Sequence, residues 1–150
     1  MPSFRTTRRV AHSPQRMFDL VADVESYPQF LPLCTGLVVR RRLTTADAKP
    51  VLIADMSVGY KAIQETFTSR VTLDSENLKI LVEYVDGPFR ELQNRWAFRA
   101  DGDGCMIEFF ITYEFKSRML GLLMGSMFDV AFRKFSEAFE KRADLIYGKA

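Results

Sequence analysis

Cys105-Met106-Ile107-Glu108-Phe109-Phe110-Ile111-Thr112-Tyr113-Glu114-Phe115 is followed two residues later by Arg118-Met119-Leu120-Gly121-Leu122-Leu123-Met124-Gly125-Ser126-Met127-Phe128. The first run has a period of two: Ile107, Phe109, Ile111, Tyr113 and Phe115 share one face of a strand. Past Lys116-Ser117 the period becomes 3.6. Phe128, Phe132, Phe135, Phe139 and Ile146 fall at helical steps against Arg133, Lys134, Glu137, Glu140, Lys141 and Arg142. This predicts one helix from Arg118 to Tyr147, about 45 Å long at the standard rise per residue.

Upstream of this switch the chain reads as a series of strands. Asp101-Gly102-Asp103-Gly104 is a tight hairpin between Leu92–Phe98 and the final strand. Leu78–Val85, Gln64–Leu73, Val51–Val58 and Leu37–Leu43 are further strands, separated by turn residues such as Asp74-Ser75-Glu76-Asn77 and Asp86-Gly87-Pro88. Phe4–His12 is the first strand. Ser13-Pro14 then supplies an N-cap and a proline at the first helical position, predicting a helix from Pro14 to Glu25 with Met17, Phe18, Val21, Ala22 and Val24 as its stripe. The prolines of Tyr27-Pro28-Gln29-Phe30-Leu31-Pro32 end it, leaving at most a short helical turn. The expected architecture is α+β: a curved antiparallel sheet of about seven strands, with the long helix across its concave face. One domain is expected over residues 1–150.

Composition bounds the chemistry. The 150 residues are 47% hydrophobic and include 13 Phe but 1 Trp, which points to an unusually apolar interior or an apolar ligand site. The net charge of +2 demands no nucleic-acid partner. A single histidine, His12, excludes multi-histidine metal sites; it is expected at the surface and outside any catalytic role. Cys34 and Cys105 are isolated thiols with no metal-ligand spacing, Cys34 reading as a small buried apolar residue. Asp19 and Asp23 share a helix face but read as solvated carboxylates, so no paired acid and base stands out. No apolar run of 18 residues predicts a membrane span, and no secretory leader is read at the N-terminus. The expectation is a cytoplasmic, unprocessed monomer without a metal or cofactor, and without enzymatic activity.

Two segments invite a functional reading beside a structural one. Met119–Phe128 carries no charge, so it either packs on the sheet or lines and gates an apolar cavity. Gly121 and Gly125 have the spacing of a close helix contact. Arg40-Arg41-Arg42 is the densest basic run, and Arg5, Arg8 and Arg9 lie on the first strand. If those two strands are neighbours, the arginines form a patch for anionic headgroups or RNA phosphates; otherwise they protect a solvated sheet edge.

Tyr27-Pro28-Gln29-Phe30-Leu31-Pro32-Leu33-Cys34 resembles the Y-P-x-F-x-P-x-C signature of the coenzyme Q-binding START-domain family. Asp86-Gly87-Pro88-Phe89-Arg90-Glu91-Leu92, Trp96 and Phe98, Glu114-Phe115-Lys116-Ser117 and Phe139-Glu140-Lys141-Arg142-Ala143 match in the same order, covering essentially the whole chain. Bacterial members are also labelled ribosome-association toxins of the RatA type, and the wider superfamily includes polyketide cyclase-like proteins. The resemblance implies the helix-grip fold and a deep apolar tunnel for ubiquinone or another polyprenyl quinone, bound in support of respiration. It also implies two alternatives: a protein that blocks joining of ribosomal subunits, or a polyketide cyclase-like enzyme. The absence of a long presequence fits the bacterial form.

The expected lining comes in two groups. From the loop and the middle strands come Phe30, Leu33, Met56, Val58, Phe67, Trp96 and Phe98; from the last strand and the helix come Phe109, Ile111, Tyr113, Leu123 and Met127. The strand faces are the sensitive step, because a slip of one residue swaps the set. The expected gate combines the helix start with the loop before Phe89. Phe89 and Leu122 would touch the membrane and Lys116 and Arg118 would meet anionic headgroups, during transient visits to the inner-membrane surface.

Overall fold

The computed structural model describes residues 3–60 and 62–149. Met1 and Pro2, with which the reading of the N-terminus began, lie outside them. The elements are β1 (Ser3–Val10), α1 (Pro14–Ala22), a 3-10 helix (Val24–Gln29), β2 (Cys34–Thr44), β3 (Pro50–Tyr60), β4 (Ile63–Asp74), β5 (Lys79–Asp86), β6 (Phe89–Asp101), β7 (Gly104–Phe115) and α2 (Arg118–Tyr147). The seven strands form one antiparallel sheet in the order β1-β7-β6-β5-β4-β3-β2, and α2 packs on it together with α1. The expected α+β architecture and the bounds of the long helix are those observed.

Local chemistry explains the punctuation. Ser13 Oγ accepts a hydrogen bond from Arg16 N at 3.1 Å, capping α1 behind Pro14. The first helix stops at Ala22 and not at Glu25, because Asp23 leaves helical geometry at ψ 69°. The 3-10 helix then carries the chain past Pro28, whose missing N–H suits a short, tight turn. Ser117 Oγ caps α2, accepting from Leu120 N at 3.1 Å.

The alternation chosen from the sequence is the buried one. Ile107, Phe109, Ile111 and Tyr113 are at most 4% exposed, whereas Phe110 and Thr112 between them are half-buried. A bulge between Phe89 and Glu91 turns both Arg90 and Glu91 outward, so Phe89 and Leu92 share the inner face. Sheet order answers the question of the arginines. β1 and β2 are the two opposite edges, so Arg5, Arg8 and Arg9 are not joined to Arg40–Arg42.

Candidate functional site: an apolar cavity under the long helix

Between the inner face of the sheet, the 3-10 helix and α2 lies a cavity of about 100 Å³. Leu37, Ala54, Met56, Val58, Phe67, Val71, Ile80, Val82 and Trp96 form its floor, and Phe128, Ala131, Phe132, Phe135 and Phe139 its roof. Tyr27, Leu31 and Leu33 close one side. Among the described residues no charged side chain lines it, and Ser69 and Asn94 are its polar side chains apart from the Tyr27 hydroxyl and the Trp96 N–H.

Those groups differ in what they already do. The Tyr27 hydroxyl donates to the Val21 carbonyl, anchoring the loop to α1. Burial pushes Tyr27 far above the usual phenol range, with smaller contributions from Cys34 and Asp23, so its proton stays on. Asn94 Nδ2 donates to the Phe110 carbonyl at 2.8 Å, and Asn94 Oδ1 accepts from Trp96 Nε1 at 2.8 Å. Ser69, 5% exposed, has no partner for its hydroxyl among the described residues. Cys34, beside the cavity, is buried as expected, and burial pushes its thiol up to about 11.

Six expected lining residues do line the cavity: Leu33, Met56, Val58, Phe67, Trp96 and Ile111. Six others do not. Phe98 packs edge-on against Phe18 of α1, and Phe109 packs against Trp96 at 4.6 Å and is enclosed by Phe4 of β1 and Phe135 of α2. Phe30 packs on Phe139 at 5.1 Å and faces a shallow outer groove. Tyr113 lies against Phe132, its hydroxyl 3.5 Å from the Gly125 carbonyl. Leu123 is 55% exposed and Met127 half-buried, because α2 turns Met124 and Phe128 inward in their place. The helix face was misjudged by one residue, which is 100° of rotation.

The expected gate is also divided. Phe89 is 1% exposed, so it is no membrane-touching tip. Its ring sits among Phe67, Tyr84, Phe115 and Phe128, at centroid distances of 4.8 to 6.0 Å. The loop before it shrinks to Gly87-Pro88, because β6 begins at Phe89 itself. Gly87 has φ 142°, and a Cβ there would meet Phe67 Cβ at 2.6 Å, so the turn is pressed onto the aromatic cluster. Leu122, in contrast, is 80% exposed and Met119 71%, with Lys116 and Arg118 exposed beside them. Gly125 makes no close contact of the kind its spacing suggested, and Ile146 is 49% exposed and outside the core.

Two further expectations change. His12 is 3% exposed, not at the surface, and its Nε2 lies 2.7 Å from Asp144 Oδ1 on α2. In the basic run, Arg40 pairs with Asp55 and Arg42 with Glu25 at 2.7 Å, so two of its three charges are engaged by neighbouring acids.

The lining residues missed from sequence were partly legible. Met56 implies Ala54 two residues back, and Phe67 implies Ser69 and Val71 two and four residues on. Tyr27 and Leu31 were not legible as wall residues, because irregular backbone carries no period.

The family described as "Polyketide cyclase / dehydrase and lipid transport" matches residues 10–140. The chain belongs to this family. It is 38% identical over 148 residues to the Ribosome association toxin RatA of Escherichia coli K12, covering 98% of this chain and 90% of that protein. It is 28% identical over 151 residues to the mitochondrial Coenzyme Q-binding protein COQ10 homolog B of Xenopus laevis, covering 97% of this chain and 59% of that longer protein. An 18 kDa protein of Caulobacter crescentus has the same fold at TM-score 0.80 and 33% identity, over 99% of each chain. A START superfamily protein of Mycobacterium smegmatis shares the fold at TM-score 0.78 and 19% identity, over 96% of this chain and 98% of that one. No helix among the described residues is long and apolar enough to cross a membrane.

Proposed function

We propose that this protein binds and carries a hydrophobic molecule, of the polyprenyl quinone class, without converting it. The supporting observation is the cavity wall: aliphatic and aromatic side chains from six strands and α2, with no charge among the described residues. An isoprenoid tail gains about 0.8 kcal/mol for each methylene-sized group buried, so such a wall holds it without specific chemistry. The ionisable side chain at the wall, Tyr27, is locked protonated and bonded to a backbone carbonyl, a poor position for acid–base work. The quinone assignment rests on likeness to the coenzyme Q-binding relative and on the sequence signature at Tyr27–Cys34.

Size adds a requirement. The cavity of about 100 Å³ is smaller than the roughly 150 Å³ that houses one benzene. A quinone with a tail therefore needs the roof to move. The mobile part in this reading is the start of α2, where Met119, Leu122 and Leu123 present an apolar ridge to solvent beside Lys116 and Arg118. This ridge enters the membrane interface while the roof lifts and lipid exchanges, and the protein visits the surface without residing there.

The test is organic extraction of the purified protein with mass spectrometry, followed by titration with ubiquinone-2. Co-purifying isoprenoid or saturable uptake is expected; neither, together, overturns the reading. For the route, Leu122→Glu is expected to lower flotation with anionic liposomes about tenfold, the worth of one buried leucine. Unchanged flotation and quinone transfer would place the entrance elsewhere.

A second reading, contact with a ribosomal subunit, is favoured by a feature on the opposite face of the sheet. Arg5 and Arg95 both lie 4.7 Å from the centroid of Phe110, one lateral row across β1, β7 and β6. Neither guanidinium is paired with a carboxylate among the described residues, and Lys49 and Lys79 line the same shallow groove. Exposed arginines around an aromatic ring suit RNA phosphates and bases. Co-sedimentation with purified subunits that weakens steeply with salt is expected, and is lost in Arg5→Ser/Arg95→Ser. Sedimentation indifferent to both changes would remove this reading.

A further inference from the structure

Among the described residues four buried side chains are polar: His12, Ser26, Ser69 and Ser136. His12 is bonded to Asp144, and Ser26 Oγ donates to the Asp23 carbonyl at 2.9 Å. Ser136 sits on α2 outside the cavity wall. Ser69 alone of the four lines the cavity, and its hydroxyl lacks a partner among the described residues. A buried hydroxyl left unpaired costs about 1–3 kcal/mol, so an interior of this kind normally contains a valine or an alanine at such a place.

The neighbours of Ser69 give that hydroxyl a setting. In the sheet register Ser69 pairs with Ala54 of β3 on one side and Tyr84 of β5 on the other. Ala54 and Ser69 are the two smallest side chains of the floor and lie side by side, flanked along their strands by Leu52, Met56, Phe67 and Val71. They form a recess in an otherwise bulky wall, with one hydrogen-bond donor at its base. Asn94, the other polar side chain of the floor, is held by Phe110 and Trp96 and is not free in the same way.

We infer that Ser69 donates a hydrogen bond to an acceptor oxygen of the bound molecule, and that the Ala54–Ser69 recess seats the oxygen-bearing head of a ligand whose remainder is hydrocarbon. The inference rests on the apolar-ligand reading above and narrows it. The site distinguishes an isoprenoid with a carbonyl from one that is pure hydrocarbon. The head lies on the floor of the sheet, and the tail runs toward the roof and the start of α2.

The experiment compares ubiquinone-2, which carries ring carbonyls, with squalene, an isoprenoid without a polar atom. Each is titrated into the parent and Ser69→Ala. The variant keeps the Cβ and removes an unpaired hydroxyl, so its thermal midpoint is expected to equal or exceed that of the parent. The expected result is about a tenfold loss of affinity for ubiquinone-2 and less than about a twofold change for squalene, one hydrogen bond in an apolar site being worth roughly that factor. Equal losses for both probes would make Ser69 a packing residue and overturn the inference, as would no loss for either. Parent protein that takes squalene but refuses ubiquinone-2 would also overturn it, while leaving the apolar-ligand reading intact. Parent protein that takes neither would bring down that reading, and the inference with it.

Discussion

The two halves of α2 are one continuous helix with opposite attachments. The C-terminal half is tied to the body at several points. Arg8 reaches Glu140 at 2.6 Å, His12 lies 2.7 Å from Asp144, Arg142 donates to Gln29 at 2.6 Å, and the Tyr147 hydroxyl donates to the Arg16 carbonyl at 3.2 Å. Phe139 and Ala143 there are wholly buried. Among the described residues the N-terminal half has its Ser117 cap and one long contact, Tyr113 to the Gly125 carbonyl at 3.5 Å; Met124, Phe128, Ala131 and Phe132 hold it down while Met119, Leu122 and Leu123 face solvent. A helix anchored at one end by polar ties and apolar packing, and at the other chiefly by apolar packing, is expected to open from the second end first. Phe128, Ala131 and Phe132 of this half belong to the cavity roof, so under the proposed function a ligand would enter from the less anchored end.

Four measurements test this asymmetry, beginning with the anchored half. Phe139→Ala removes a ring that packs on Tyr27, Phe30 and Trp96 at 5.1 to 5.3 Å. It is expected to cost about 3–5 kcal/mol in denaturant unfolding; a loss below about 1 kcal/mol would deny that this half is the anchor. Asp144→Ala strands the buried His12 ring and is expected to cost about 1–3 kcal/mol, with no change expected if the pair were merely a surface contact. In native-state hydrogen exchange, the amides of residues 122–127 are expected to exchange about tenfold faster, or more, than those of 136–143. Equal protection would describe a helix start as firmly held as the anchored half. Finally, Leu122→Glu is expected to change folding stability by less than about 0.5 kcal/mol, since its side chain already faces water at 80% exposure. A larger loss would show that the ridge packs against the body in solution.

How far the sequence could be read depended on the kind of signal each residue carries. The strand faces were legible because a period of two leaves only two choices, and one of them would have buried Glu108 and Arg95. The long helix was legible from Arg118 to Tyr147 because the period changes from 2 to 3.6 and an apolar stripe then runs through Phe128, Phe132, Phe135 and Phe139. The cavity was half legible. Phe98 and Phe109 have the same period as Trp96 and Ile111 and are just as buried, yet Phe18 of α1 covers Phe98, and Phe4, Trp96 and Phe135 enclose Phe109. Nothing in a strand's own alternation records which stretch of the inner face another element will cover. His12 and Phe89 were misplaced for a related reason: each stands next to a turn, where polarity and glycine suggest exposure, and each is buried by a partner distant in the chain.

The amino-acid order alone was enough for the α+β class, the seven strands, the inward faces, the apolar character of the interior and the uncharged start of the helix, because each is a matter of local period and composition. Tertiary contacts settled where the empty space lies, which helix end is tied down, which arginines are paired and which serine stands in the cavity without a partner among the described residues. Those are questions of distance between residues as many as 132 positions apart. A side chain's chemistry does not carry that information until the sheet curls and α2 is laid across it.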